Sequence, residues 1–211
     1  MRTEKYSEQK NRLPKTGKQI IGSIENDNII VYQAFNSQIA NYAISNQKFG
    51  GPNYSFTRMS WIKPGFLWMM YRAGWATKEN QQRILAITLP IVHFKTILQE
   101  ATISSFDGNL FGTREKWRQE LEMTNVRLQW DPDHDPMGQK QERKAIQIGM
   151  KAEILKKFCN DWIVDITDIS DFVKEEHKKV LNNEIEQLTV PVEDIITIDD
   201  LKISKRIGIS N

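Results

Sequence analysis

Five cations, Lys48, Arg58, Lys63, Arg72 and Lys78, fall in residues 28–78, a stretch without a single aspartate or glutamate. Its second half reads Arg58-Met-Ser-Trp61-Ile-Lys63-Pro-Gly-Phe-Leu-Trp68-Met-Met-Tyr71-Arg72-Ala-Gly-Trp75. Guanidinium and ammonium groups contact phosphate, and flat rings stack on bases. Arg58, Lys63 and Arg72 are therefore candidate phosphate contacts, and Tyr71 and Trp75 candidate base contacts. The ligand this chemistry selects is anionic and planar: a nucleotide, RNA or DNA. The competing reading puts the rings in a core and lets the cations reach past it to water.

A second group lies far along the chain. In Val126-Arg127-Leu-Gln129-Trp130-Asp131, strand alternation puts Arg127, Gln129 and Asp131 on one face. A cation, an amide and an acid in a row suit substrate reading more than a purely solvated edge. Gln147 sits in Ala145-Ile-Gln-Ile-Gly149 and points opposite to its isoleucine neighbours, so it faces either a pocket or solvent. By type and position Asp131 is the candidate general base. Arg127 would stabilise developing charge, and Gln147 and Gln129 would orient a ribose or an acceptor group.

Other patterns carry less. Asp131, Asp133, His134 and Asp135 imitate the start of a calcium loop, but two prolines interrupt it and no glycine or closing glutamate is in register, so no metal is expected. Phe49-Gly-Gly-Pro52 is an ordinary turn without a phosphate-loop lysine. His93 and His177 have no partner motif and read as structural or exposed. No nucleophile elbow and no His-Glu-x-x-His is present.

The elements that must carry these groups are legible in outline. Ile29–Phe35 is β-branched and aromatic after a turn at Glu25–Asn28, hence a strand, and Asn36 or Ser37 caps the helix that follows. Its adjacent Tyr32 and Gln33 point to opposite faces, so only one of them should face the core. Pro64 suits a helix start, with residues 66–71 helical and Gly74 closing the helix. Over residues 64–75, a spacing of seven would set Trp68 and Trp75 on one helical face, with Tyr71 and Arg72 near it. Strands are expected at residues 83–89, 126–130, 144–149 and 162–166. Helices are expected at 93–101, at 114–122 capped by Thr113, at 152–159, and from Ser170 to about 182. Asp131–Pro136 should be loop, because Asx-Pro pairs disfavour helix. About five strands and five helices without strict alternation give an α+β fold.

The organisation that follows is a flexible basic arm over 1–18, a single α+β domain over 19–185 and an acidic C-terminal tail over 186–211. Residues 161–211 hold twelve acids against six bases, opposite in sign to the front of the chain. Charge asymmetry of this kind points to an anionic partner at the front. No run of 18 apolar residues exists and the N-terminus has no apolar signal core, so no membrane association is expected. The lone Cys159 excludes an internal disulfide and reads as a core residue. It points to a reducing, intracellular compartment, cytoplasmic or nuclear, with no disulfide-linked partner.

The runs Val31–Phe35, Arg58–Trp75, Val126–Pro132 and Ala145–Gly149 together resemble the family catalogued as domain of unknown function 4291, over roughly residues 20–180. In layout the chain is also similar to ADP-ribosyltransferases. That resemblance implies a nucleotide- or nucleic-acid-directed transferase with NAD as cofactor. Tyr32 and Gln33 would stand on the strand that grips NAD, and Gln147 on the late strand that normally presents a glutamate. The chain departs there: the first strand has no Arg or His, and a glutamine cannot serve as a carboxylate. The alternative function is a non-catalytic module for single-stranded nucleic acid or modified bases.

Overall fold

The computed structural model describes residues 1–209. Its strands are β1 (Thr3–Lys5), β2 (Ile21–Glu25), β3 (Asn28–Phe35), β4 (Ser60–Ile62), β5 (Arg83–Pro90), β6 (Ala101–Ile103), β7 (Val126–His134), β8 (Lys140–Met150), β9 (Asp165–Asp168), β10 (Thr189–Pro191) and β11 (Asp194–Ile195). Its α-helices are α1 (Tyr6–Arg12), α2 (Ser37–Asn46), α3 (Phe66–Ala73), α4 (Ile91–Glu100), α5 (Gly108–Phe111), α6 (Arg114–Met123), α7 (Ala152–Lys157), α8 (Ser170–Leu181) and α9 (Leu201–Ile207). The fold is α+β, with more elements than expected. The surplus is mostly strands of two or three residues, too short to show a period of two.

Asn26 and Asp27 both take positive φ, at 50° and 60°. That backbone turns β2 into β3 as a tight hairpin, and Asn and Asp tolerate it better than branched residues. β3 is then the middle of a five-stranded antiparallel sheet ordered β11-β2-β3-β5-β9. A second sheet is ordered β4-β8-β7-β6, with β6 and β7 parallel. β2 pairs only with the first residues of β3, which leaves the edge at Tyr32 open. Lys63, just past β4, fills it: Tyr32 N donates to Lys63 O at 2.7 Å and Lys63 N to Tyr32 O at 3.1 Å. This one pair joins the two sheets.

The five-stranded sheet has a core on each face. Ile29, Val31, Leu85 and Ile87 pack with Leu128, Ile146 and Ile148 of the second sheet. Ile30, Tyr32, Ile84 and Ala86 pack with Phe66, Met69 and Met70 of α3 and Val173 of α8. Tyr32 and Gln33 are accordingly both buried, at 0 % and 3 % exposure. The expectation that only one would face a core assumed a sheet covered on one side.

Local signals for the helices hold well. The Asn36 side chain accepts from Ile39 N, and Thr113 from Lys116 N. Gly74 takes a left-handed conformation and its N–H closes α3 on the carbonyls of Met70 and Tyr71. Three expectations differ. β7 continues through Asp131–His134, with an irregularity at Pro132; β6 pairs only as far as Leu128, so β7 is an edge strand there, where proline is tolerated. The strand expected over 162–166 lies at Asp165–Asp168, because residues 158–162 form a π-helical turn. Trp75 lies outside α3 with φ +53°, since Gly74 ends the helix first; it shares no helical face with Trp68.

Neither end of the described chain is detached. β1 pairs with β10, Tyr6 is buried, and Gln9 Nε2 donates to Pro191 O at 2.6 Å. Ile196, Ile198, Ile203 and Ile207 of the acidic segment enter the core between the sheets. Isoleucine content outweighs charge in that segment, because burying each such side chain contributes about 2 kcal/mol.

Glu193, in the same segment, is 4 % exposed, and its Oε1 accepts the N–H of Phe66, the first residue of α3, at 2.7 Å. Burial pushes its carboxyl up to about 8, with Asp133 and Glu4 adding repulsion while the Phe66 N–H opposes. The folded state thus holds a proton that the unfolded chain, near 4.5, releases. That stability is fully present below pH 4.5 and is lost as pH rises toward 8. Glu193→Gln keeps the acceptor and removes the titration. In urea unfolding, the variant is expected to be more stable than the wild type by about 4 kcal/mol at pH 8 and to match it near pH 4.5. Parallel pH profiles would refute the assignment.

Candidate functional site

The second sheet turns Leu128, Ile146 and Ile148 into the core. Period two sends the alternate residues to its other, half-open face. The register then fixes neighbours: Arg127 lies opposite Gly149, Gln129 opposite Gln147, and Asp131 opposite Ala145. On the far side of β8, Trp61 lies opposite Gly149. A Cβ there would meet Met59 Sδ at 2.6 Å and Trp61 Cε2 at 2.7 Å, so only glycine lets the β4 side chains lie across β8.

Asp131 is held by two amides. Gln129 Nε2 donates to one carboxylate oxygen at 2.8 Å and Gln147 Nε2 to the other at 2.9 Å. Both amides present their N–H₂ to the acid, so their carbonyl oxygens remain as acceptors. The carboxylate keeps spare lone pairs, since each ionised oxygen accepts more than one hydrogen bond.

Lys63 is 6 % exposed, and its backbone is pinned to Tyr32. Its ammonium makes no hydrogen bond or ion pair among the described residues, and neither does the guanidinium of Arg72. Burial pushes the Lys63 amine down to about 8; Arg72 repels in the same direction and Asp131 opposes. That both charges act on it sets Lys63, Arg72 and Asp131 in one neighbourhood. Arg72 stands exposed in the last turn of α3, where the helix dipole favours a cation. Arg127, on the same sheet face, donates from Nη2 to Leu121 O at 3.2 Å, and its buried Nε has no partner.

The other candidates lie elsewhere or act indirectly. Gln33 braces β4, donating to Ser60 Oγ at 2.8 Å and Trp61 O at 3.1 Å, and its own oxygen is unpaired. Arg58 is exposed and lines a separate hollow with Asn36, Asn53 and Ser55. Tyr32 is wholly buried, edge-on to Phe66. Trp75 is buried, parallel to His177 with centroids 5.5 Å apart, and donates Nε1–H to Pro136 O at 3.2 Å. Tyr71 is 39 % exposed and stacks on His134 with centroids 3.5 Å apart. Burial pushes the His134 imidazole below its usual value, against the pull of Asp133.

The aspartates around His134 have structural duties. Asp133 pairs with Arg143 at 2.6 Å. Asp135 accepts the N–H groups of Met137 and Gln139 and so shapes the turn into β8. Among the described residues no three His, Cys, Asp or Glu gather as a metal cluster. His134 and His177 as ring partners were missed from sequence, since no local pattern marks which ring a distant histidine meets.

The fold and this face define an α+β protein whose second sheet carries cations that make no ion pair among the described residues, set around an amide-clamped carboxylate. The family described as domain of unknown function (DUF4291) matches residues 19–196, and the chain belongs to it. Comparison with curated proteins finds no match. No helix among the described residues is long and apolar enough to cross a membrane.

Proposed function

We propose that the half-open face of the second sheet binds the phosphate of a nucleotide or nucleic acid and serves group transfer there. One observation carries this reading: Lys63 is a buried ammonium with no hydrogen bond or ion pair among the described residues, only partly offset by the charge of Asp131 and set beside the equally unpaired Arg72. A cation taken out of water is costly unless an anion meets it. A bound phosphate would supply that anion, return Lys63 to its ordinary protonation, and place developing negative charge between two cations. Asp131, kept in position by Gln129 and Gln147, is then the candidate base for an acceptor hydroxyl. The amide oxygens would accept from ribose hydroxyls. NAD belongs to the ligands this chemistry admits.

Isothermal titration with ATP, NAD and inorganic phosphate tests the reading. Arg72→Ala is expected to weaken binding roughly tenfold or more, as loss of a charge-assisted contact does. Cys159→Ser, in the core, should leave affinity unchanged. Intact binding in Arg72→Ala refutes the site. Asp131→Asn adds a check independent of any ligand. It removes the one charge that raises the Lys63 pKa, so the amine should titrate below about 8. The pH dependence of Lys63 modification by trinitrobenzenesulfonate reads this, and an unshifted titration separates Asp131 from Lys63.

A second reading, a single-strand reader without catalysis, has its own support. Arg58 lies in a hollow apart from Lys63, which suits a ligand long enough to touch both. Affinity for an oligonucleotide that falls steeply with salt, and is weakened equally by Arg58→Ala and Arg72→Ala, would favour it.

A further inference from the structure

We infer that the cleft between the end of α3, the β7–β8 turn and α8 is a slot for a nucleobase, so that the ligand of the cationic face is a nucleoside phosphate and not a bare phosphate or sugar phosphate. The inference rests on the phosphate reading above and names the ligand's other half.

The cleft has a volume of about 350 Å³ and is lined by Tyr71, Trp75, Pro136, Met137, His177 and Leu181. Three of these leave apolar surface in water: Tyr71 at 39 %, Met137 at 51 % and Leu181 at 72 % exposure. Tyr71 is the exposed ring of the wall and is braced from within, whereas Trp75 is buried and covered on one face by His177, which itself lines the cleft. Tyr71 lies on His134 at 11° between planes, and Trp75 on His177 at 3°. The Trp75 indole is further tied to Pro136 O. A ring held as Tyr71 is loses little freedom when a flat ligand stacks on it, so the stacking energy is kept as affinity.

Two chain connections join the slot to the cations. Tyr71 and Arg72 are consecutive in the last turn of α3. His134, which backs Tyr71, follows Asp131 by three residues on β7, or roughly 10 Å along a strand. That distance suits a nucleoside whose base meets Tyr71 while its phosphate meets Lys63 and Arg72. The sugar would then pass the amide oxygens of Gln129 and Gln147.

The test titrates the full chain with AMP, ribose 5-phosphate and inorganic phosphate. Calorimetry gives affinity, and protection of Lys63 from trinitrobenzenesulfonate reports the anion site. AMP should bind about tenfold or more tightly than ribose 5-phosphate, as one stacked base contributes. Tyr71→Ala should erase that difference and leave ribose 5-phosphate affinity unchanged. Leu181→Glu, a change at an exposed helix end, should weaken AMP alone, and it keeps the test open if Tyr71→Ala misfolds. Equal affinity for AMP and ribose 5-phosphate, with Lys63 protected by both, would overturn the slot and leave the phosphate site standing. Failure of all three to protect Lys63 would overturn both. Concentration-dependent self-association abolished by Leu181→Glu, without an AMP preference, would assign the apolar surface to a second copy of the chain and overturn the slot.

Discussion

Lys63→Met is expected to abolish the proposed nucleotide binding and, at pH 7, to make the fold more stable by about 3 kcal/mol. The opposite signs follow from one cause. In the folded chain the Lys63 amine sits near 8, against 10.5 for a free lysine, because burial opposes its charge. The unfolded chain therefore binds more protons between those values, and stability rises with pH across them. Below pH 8 the folded protein carries the full cost of the buried charge, at about 1.4 kcal/mol per unit of difference. Methionine has a similar shape and no charge, so it removes that cost where the site is empty. The advantage should shrink above pH 8 and vanish near 10.5. If the proposed site binds nucleotide, AMP or ATP at saturation should reverse the ranking by stabilising the wild type and not the variant. Urea unfolding at pH 7 and 10.5, with and without nucleotide, measures all of this. A variant that is less stable and still binds nucleotide would remove Lys63 from the site.

Asp133→Ala should be the most destabilising single change in the second sheet, at about 3–5 kcal/mol. Asp133 and Arg143 are 8 % and 9 % exposed, and Arg143 Nε donates to Asp133 Oδ2 at 2.6 Å. Asp133 also accepts the N–H of His134 at 2.8 Å. Arg143 reaches the N-terminal segment, donating from Nη1 to Pro14 O at 3.3 Å and from its backbone N to Lys15 O at 3.0 Å. Removing the acid leaves a guanidinium buried without its anion, the costly way to break such a pair. The double variant Asp133→Leu/Arg143→Met should recover most of the loss, because it removes both desolvated charges together. Guanidinium chloride midpoints for the singles and the double form the cycle. A loss below 1 kcal/mol in Asp133→Ala would show the pair to be spectators. Since Asp133 precedes the histidine that backs Tyr71, the same variant should also weaken AMP binding relative to ribose 5-phosphate.

The two expectations reach different depths of the sequence. Arg127, Gln129 and Asp131 on one face, and Gln147 turned away from its isoleucines, follow from alternation within a strand. The Asn36 and Thr113 caps, the Gly74 stop and the hairpin at Asn26–Asp27 likewise depend on a few adjacent residues. What alternation cannot express is pairing. Gln129 and Gln147 share Asp131 only because β7 and β8 are in that register, and Lys63 meets the cluster only because it fills the gap that β2 leaves on β3. Asp133 gives no sign in sequence that its partner is ten positions on, and a D-x-D-x-D run invites a metal in its place.

Charge type and ring type were therefore legible, and their environments were not. The acid-free stretch determined that cations would lack nearby carboxylates along the chain, and the order of strand and helix patterns determined an α+β fold. Tertiary structure decided that Lys63 is buried while Arg58 and Arg72 are not, that Trp75 leaves the helix, and that both Tyr32 and Gln33 face cores. The reason is physical. Local pattern reports a residue's direction from its own backbone, whereas burial, pKa and partnership depend on what other segments bring to that side, and those segments here come from 31 to 127 positions away.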